Sequence, residues 1–324
     1  MNPTMPRHRA HSRFSASAPL DRFDERYDDA EAPHRSPQRT ALSFEVMPPR
    51  RDADQETIAE LLDTLESYNP DYVSVTSSRN SGWLEGTTDF ISKITATTRM
   101  RTLAHLACTA GTREELGVWI DRLMDAGVRG FLALRGDFAE GQHSLPAGYL
   151  PHANELVRLI RDIEGRQAAR FGAGRLAIGV AAYPSGHAES ASVDEDLDVL
   201  LAKQRCGADF AITQLFFDAE DYLRFKERSE LAGVRIPLIP GIMPMTSVQR
   251  LRRMGQLSGL RVPDRLIRRL EAAGPESEYE VGLELTAELA QTVLGAGAGG
   301  LHLYTFNRSD TTREMLDRIG LSAS

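Results

Sequence analysis

Residues Arg101 to Asp137 read "RTLAHLACTAGTREELGVWIDRLMDAGVRGFLALRGD", and this one segment holds the pattern of a strand, a helix and a second strand. Its two ends, "RTLAHLAC" and "GFLALRGD", are short apolar runs of the kind that bury in a sheet. Between them Leu116, Trp119, Ile120, Leu123 and Met124 recur at helical spacing and form one apolar stripe. The "AGVRG" turn leads into the second run. Alternating strand and amphipathic helix is the unit of a parallel sheet.

The same unit extends in both directions. Candidate strands are "LSFEVMP", "YVSVTS", "RTLAHLAC", "GFLALRGD", "LAIGVAAYP", "FAITQLFF", "PLIPGIMP" and "LHLYTFN". They number about eight, which closes a (β/α)8 barrel. Ile58, Leu61, Leu62 and Leu65 repeat the helical stripe, and "NPD", "CGAD" and "AGVRIP" mark turns before Tyr72, Phe210 and Leu238. The expected fold is α/β, a single-domain TIM barrel over residues 41–324. A doubly wound sheet shares the alternation but leaves the last strand without a place. Residues 1–40, rich in Arg, Asp, Ser and Pro, lack aliphatic periodicity and are expected to form a disordered tail. The acidic "DRFDERYDDAE" argues against a transit peptide.

Composition narrows the function. A formal net charge of -8 and a pI near 5.6 disfavour a general nucleic-acid binder. Two cysteines, Cys108 and Cys206, fit a reducing compartment, so a cytoplasmic location is expected. No apolar run approaches the ~18 residues of a membrane span.

In a barrel the active site lies at the C-terminal strand ends. The polar residues there are Glu45, Thr76, His105, Arg135 with Asp137, Tyr183 with His187, Gln214, and Tyr304 with Asn307 and Arg308. Any one could cap a helix or satisfy a loop amide, but they recur at strand after strand. In "ALSFEVMPPR", Glu45 alternates with Ser43 and Met47 on one face, so it can point into the mouth. A partly buried carboxylate there is expected to have a raised pKa and to act as a general acid. Asp137 could face a cationic or electron-poor group, pair with Arg135 or cap a helix. Tyr183 and His187, in "VAAYPSGH", could stack on and hydrogen-bond a flat heterocycle.

Two motifs fail on context. "GAGAGG", Gly295 to Gly300, follows a helix and precedes a strand, the reverse of a dinucleotide fingerprint, and reads as a helix end and turn. His105 and Cys108 have a metal-like spacing but point to opposite faces of a strand, and no metal is expected.

Taken in order, "SFEVMPPR", "VSVTSSRNSG", "LAHLAC", "LALRGD", "VAAYPSGH", "ITQLFFD", "IPGIMP" and "LHLYTFNR" resemble the bacterial, single-catalytic-domain methylenetetrahydrofolate reductase family, from about Leu42 to Arg308. The resemblance implies a barrel that binds FAD, takes a hydride from NADH or NADPH and passes it to 5,10-methylenetetrahydrofolate. The product, 5-methyltetrahydrofolate, serves methionine synthesis. It further implies that Glu45 protonates the folate N10 and that Asp137 stabilises the cation formed on ring opening. Gln214 would contact folate or nicotinamide, Thr76 the flavin and nicotinamide, and Arg308 the folate. His105, Arg135, Gly136, Asp137, Tyr183 and His187 would contact FAD, with Asp196 and Lys203 spaced for its ribose and phosphates. A homo-oligomer is also implied, and a regulatory C-terminal domain is not expected. The chain departs from the family pattern at Ser77, Ser78 and Arg79, where Tyr-Gly-Ala is common, and at Val199 and Ala202. "FEVMPP" also replaces the common "FEFFPP", a change that reads as repacking of the core. Two alternatives are a flavin-independent reductase with direct transfer from NADH and a non-catalytic folate- or flavin-binding barrel. Retention of Glu45, Asp137 and Gln214 together weighs against the last.

Overall fold

A computed structural model of the 324-residue chain describes residues 40–49, 54–77, 83–138, 144–172, 174–187, 189–190 and 192–323. The tail expected over residues 1–40 lies, but for Thr40, outside the described residues. The strands are β1 (Ala41–Val46), β2 (Tyr72–Val75), β3 (Thr102–Ala107), β4 (Gly130–Leu134), β5 (Ala177–Ala182), β6 (Phe210–Thr213), β7 (Leu238–Ile239), β8 (Gly241–Ile242) and β9 (Gly300–Tyr304). They pair in parallel in the order β7-β6-β5-β4-β3-β2-β1-β9-β8.

β7 and β8 are two halves of the seventh strand anticipated as "PLIPGIMP". Pro240 separates them because it has no N–H for the ladder. The first half pairs with β6 through Ala211 and Leu238, and the second with β9 through Gly241 and His302. Pro240 still contributes its carbonyl, which accepts the His302 N–H at 2.9 Å. The nine strand segments therefore form an eight-stave barrel closed through Pro240. The TIM-barrel expectation holds.

The helices are α1 (Gln55–Ser67), α2 (Trp83–Thr97), α3 (Arg113–Asp125), α4 (Ala153–Arg166), α5 (Val193–Arg205), α6 (Ala219–Ala232), α7 (Val248–Ser258), α8 (Asp264–Ala273), α9 (Glu278–Gly295) and α10 (Ser309–Arg318). The stripes read from sequence bury as expected: Ile58, Leu61, Leu62 and Leu65 on α1, and Leu116, Ile120, Leu123 and Met124 on α3. Side-chain caps start several helices just beyond the mouth loops. Thr112 and Glu115 form a reciprocal capping box on α3, and Ser192, Asp218 and Ser247 cap α5, α6 and α7. The "GAGAGG" stretch ends α9 and turns at Gly297 (φ 81°) into β9, as its context implied.

Strand alternation creates two cores. Outward residues such as Phe44, Val46, Phe131 and Leu303 pack under the helices. Inward residues Tyr72, Leu103, Leu132, Ala177, Phe210, Ile212 and Ile239 fill the barrel. Gly179 admits the Phe210 ring, whose atoms lie 2.7 Å from where a Cβ would stand. Towards the C-terminal ends the interior turns polar on β1, its neighbour β9, and β3 on the far side of β2: Glu45 follows Ser43 on β1, His105 follows Leu103 on β3, and β9 contributes His302 and Tyr304.

Gly282 lets α9 approach the loop after β8, because a Cβ there would stand 1.7 Å from the Met245 carbonyl oxygen. Glycine to alanine in a helix ordinarily stabilises by up to about 1 kcal/mol. Here Gly282→Ala is expected to destabilise by roughly 2 kcal/mol or more through overpacking. A urea titration checks the sign; a midpoint at or above wild type would show that the two segments can separate without cost.

Candidate active site

Glu45 stands inside the mouth with its side chain 21% exposed. Its Oε2 lies 3.4 Å from His105 Nε2 and 4.0 Å from His302 Nε2. Neither ring nitrogen reaches hydrogen-bond geometry, so each contact is an ion pair only when its imidazole is protonated. The other face of His302 is fixed: its Nδ1 shares a 2.9 Å hydrogen bond with Ser43 Oγ, and Tyr72 and Tyr304 flank its ring.

This arrangement corrects one expectation. Burial pushes the Glu45 carboxyl up, but the contact with His302 and the charges of His105 and His302 outweigh it. The net direction is below the ordinary carboxylate value, not above it. Burial holds His105 below the usual imidazole value, against the pull of Glu45. At neutral pH the centre is therefore a carboxylate beside a neutral imidazole.

A second group gathers at the ends of β4 and β5. Arg135 Nη1 donates to Glu189 Oε2 at 2.5 Å and lies over Phe138. The expected alternative pairing with Asp137 does not form; Asp137 stays exposed, close enough to add to the shifts of Arg135 and Tyr183. Gly136 takes φ 84°, which reverses the chain between the two side chains. Tyr183 packs edge-on against His187 with centroids 4.6 Å apart. Asp196 organises that loop: its Oδ2 accepts the His187 N–H at 3.0 Å and its Oδ1 accepts the Ser190 hydroxyl at 2.6 Å.

Lys203 is buried beneath the same loop. Its Nζ donates to the Ala181 carbonyl at 2.8 Å and lies 5.8 Å from the Tyr183 ring centre. Burial, partly opposed by Asp196, drives it down to about 8. An ammonium has three donors, so Lys203 keeps capacity for an anion. The cations Arg135 and Lys203 with the Tyr183 and His187 rings make a set that can hold phosphate and a flat ring system.

Thr76 directly follows β2, its N–H donating to the Val46 carbonyl and its own carbonyl accepting the Thr87 hydroxyl. Gln214 directly follows β6, its Oε1 accepting the Leu215 N–H at 2.9 Å, which leaves its NH2 to face other groups. Arg308 is exposed beyond β9. All the sequence-predicted residues thus lie on or just beyond the C-terminal ends of the strands, Asp196 and Lys203 on α5 behind the loop. Ser77 is partly exposed there, Val199 lies 44% exposed on α5, and Ser78 and Arg79 lie outside the described residues. Sequence reasoning missed His302 and Glu189. His302 was signalled by alternation, since it sits two residues before Tyr304 on the inward face; Glu189 had no such signal.

The chain matches the methylenetetrahydrofolate reductase family over residues 32–320. It is 33% identical over 282 residues to the 5,10-methylenetetrahydrofolate reductase of Salmonella typhimurium, covering 86% of this chain and 90% of that one. The chain belongs to the methylenetetrahydrofolate reductase family. The enzyme of the same name from Pectobacterium carotovorum is 32% identical, with 87% and 91% of the two chains covered. The Arabidopsis thaliana protein named methylenetetrahydrofolate reductase (NADH) 1 is 30% identical over 87% of this chain, which spans 49% of that protein. In structure, an uncharacterized Clostridium thermocellum protein described as binding two copies of 5-methyl-5,6,7,8-tetrahydrofolic acid superimposes with a TM-score of 0.57. At 14% identity, covering 82% of this chain and 88% of that one, this likeness shows the fold alone. Among the described residues of this reductase-family chain, no helix is long and apolar enough to cross a membrane.

The depressed Lys203 pKa has a stability consequence. Below about 8 the lysine is charged in both folded and unfolded chains, so its burial penalty is fully present. Between that value and the ordinary ~10.4 the folded form is already neutral, and the penalty fades as pH rises. Lys203→Met is therefore expected to stabilise at pH 7 by about 1–3 kcal/mol, offset in part by the lost bond to Ala181. The advantage should shrink steadily in urea titrations between about pH 8 and 10.4. A pH-independent difference would mean that burial does not disfavour the ammonium.

Proposed function

We propose that this chain is an oxidoreductase that converts 5,10-methylenetetrahydrofolate to 5-methyltetrahydrofolate, with FAD as cofactor and NADH or NADPH as reductant. The observation that carries the reading is Glu45, an inward carboxylate backed by two histidines at the mouth of a chain of this family. FAD, when bound, supplies a redox ring that accepts a hydride from the nicotinamide and gives it to the folate. Arg135 and Lys203 would hold its diphosphate, with Tyr183, His187 and Thr76 alongside. Asp196 would act through the loop it fixes.

The substrate is a five-membered ring in which one methylene bridges N5 and N10. Protonation of N10 lets the methylene–N10 bond break, its electron pair staying on N10, and leaves an iminium cation at N5. Hydride addition to that carbon then gives the methyl group, so one proton and one hydride are consumed. Glu45 is the proton donor. Because it is a carboxylate at neutral pH in this arrangement, it must take up a proton before donating one. A folate seated over the mouth removes the remaining water from Glu45, and desolvation is the direction that already pushes its carboxyl up. His105 and His302 then set how easily the proton arrives. Asp137, exposed just beyond β4, would supply negative charge to the developing iminium. Gln214 can donate through its NH2 to folate or nicotinamide, and Arg308 can meet the folate from the opposite rim.

Anaerobic visible spectroscopy tests the reading. A flavin band that bleaches with NADH and returns with methylenetetrahydrofolate is the expected result. A colourless protein that gains nothing from added FAD, yet oxidises NADH when the folate is present, would establish direct hydride transfer instead. Glu45→Gln is expected to slow the folate half-reaction by about 100-fold or more while leaving flavin reduction by NADH nearly intact. Equal loss in both halves would remove Glu45 from the protonation step.

A further inference from the structure

Glu45 must gain a proton while a folate shuts it off from water, and one layer deeper in the barrel lies an imidazole that the bond-making chemistry leaves unused. In the β1–β9 register Glu45 is opposite Tyr304 and Ser43 is opposite His302. His302 is fully buried, whereas the Glu45 side chain is 21% exposed. The imidazole is fixed on every side: Tyr72 stacks on it with centroids 6.2 Å apart, Tyr304 meets it edge-on at 5.2 Å, and the His302 backbone N–H donates to the Pro240 carbonyl at 2.9 Å. Its Nε2 lies 4.0 Å from Glu45 Oε2 and has no hydrogen-bond partner among the described residues. A buried polar atom left in that state costs free energy unless something arrives to use it.

Ser43 decides what that atom can do. Its hydroxyl has one hydrogen to donate, and the Leu301 carbonyl accepts it at 3.3 Å. At its 2.9 Å contact with His302 Nδ1, Ser43 is left to accept, so Nδ1 carries hydrogen and the neutral ring turns a bare Nε2 lone pair towards Glu45. A lone pair facing a carboxylate is repelled, and one proton between them removes the repulsion. The other ionisable groups facing this pocket are Tyr72 on β2, His105 on β3 and Tyr304 on β9. Burial raises both phenols well above their ordinary value, so they keep their hydrogens. Burial also keeps His105 below the usual imidazole value against the pull of Glu45, and charge on His302 adds to that effect. His302 is the site left to hold the proton.

We propose that His302, its tautomer set by Ser43, is the proton store of the active site: it holds one proton at Nε2 and passes it to Glu45 Oε2 once a folate covers the mouth. In the transfer the Nε2–H bond breaks, its electron pair stays on Nε2, and an Oε2–H bond forms. Glu45 then gives the proton to the folate N10 and is a carboxylate again. After product leaves, His302 regains a proton from solvent through Glu45, so each turnover consumes one. The gap closes by movement of Glu45, whose terminal torsion is broad, while the ring stays fixed; such contacts commonly tighten only when substrate binds. Neither His302 nor Ser43 touches the reacting atoms, so both are positioning residues that act through Glu45. The inference rests on the folate-reductase reading above and names the source of the proton which that reaction consumes.

Two measurements on the full-length protein test it. In nitrogen NMR of the protein with isotope-labelled histidines, His302→Gln assigns the signals by their loss. Nδ1 of His302 is expected to stay protonated throughout the titration while the proton enters and leaves at Nε2; a neutral ring protonated at Nε2 would overturn the assignment without any assay of activity. The second measurement is the anaerobic single-turnover reduction of methylenetetrahydrofolate between about pH 6 and 8, the range in which imidazoles change charge. The wild-type rate is expected to be nearly flat. In Ser43→Ala, which frees the tautomer, and His302→Gln, which removes the store, the rate should fall about tenfold per unit of rising pH, because Glu45 must then draw its proton from solution. Ser43→Thr should restore the flat profile, and flavin reduction by NADH, which uses no Glu45 proton, should not acquire the slope. A loss equal at every pH, or no loss in either variant, would mark the two residues as structural and overturn the proposal. A wild type that does not reduce methylenetetrahydrofolate would overturn the reductase reading itself, so the two failures are distinguishable.

Discussion

A parallel sheet is free of edges only when its last strand reaches its first, and in this chain that closure passes through Pro240. The residue cannot donate to the ladder, so the seventh strand divides, one half bonding to β6 and the other to β9. The carbonyl of Pro240 holding the His302 N–H is the join. Everything at the mouth depends on it. His302 is anchored in β9 by that bond and by its ring contact with Ser43, and Glu45 is opposite Tyr304 in the adjoining register. If the ring opened between β7 and β9, the imidazole that sets the state of Glu45 would lose its backbone anchor.

Much of this was legible from the residues. The βαβ pattern around Arg101 to Asp137 was enough for the parallel sheet, because period-two and helical spacings alternate without interruption. Strand ends were legible for the same reason, and they located the polar residues of the mouth. The state of those residues was not legible. Glu45 read as an acid in an apolar strand, which predicts a raised pKa; the neighbours that reverse the direction, His105 and His302, come from strands 60 or more positions away in sequence. Charge state depends on partners across the barrel, and alternation says which face a residue takes but not whom it meets. The split at Pro240 was visible as a proline, yet its consequence depends on which neighbours need the missing N–H.

Two buried ionisable groups show the mouth trading stability for chemistry. Lys203 is held in a place that disfavours its charge, with one carbonyl and one aromatic face for company. Asp196 does not form an ion pair with it at contact distance but spends its oxygens on the loop that carries His187. A fold selected for stability alone would place a methionine at 203. The ammonium makes sense as a preorganised partner for an anion that arrives later, at a cost already borne by the folded chain.

The same logic explains how an acidic protein can serve anionic ligands. The formal net charge of -8 describes the whole surface, where many arginines are neutralised by carboxylates, as Arg224, Arg252 and Arg265 are. At the mouth itself, Arg250 and Arg308 lie on one rim without a carboxylate ion pair, and Lys203 lies behind the loop on the other. Field lines from unpaired cations at a concave, partly desolvated mouth act where the ligand sits, while paired charges elsewhere cancel within about a Debye length, ~8 Å at physiological salt. Net charge thus argues against a polyanion wrapped around the surface and says nothing against small anions drawn into the mouth. On the proposed function, the carboxylate of Glu45 between the two rims would keep such anions to the sides and leave the space above it for the reacting carbon.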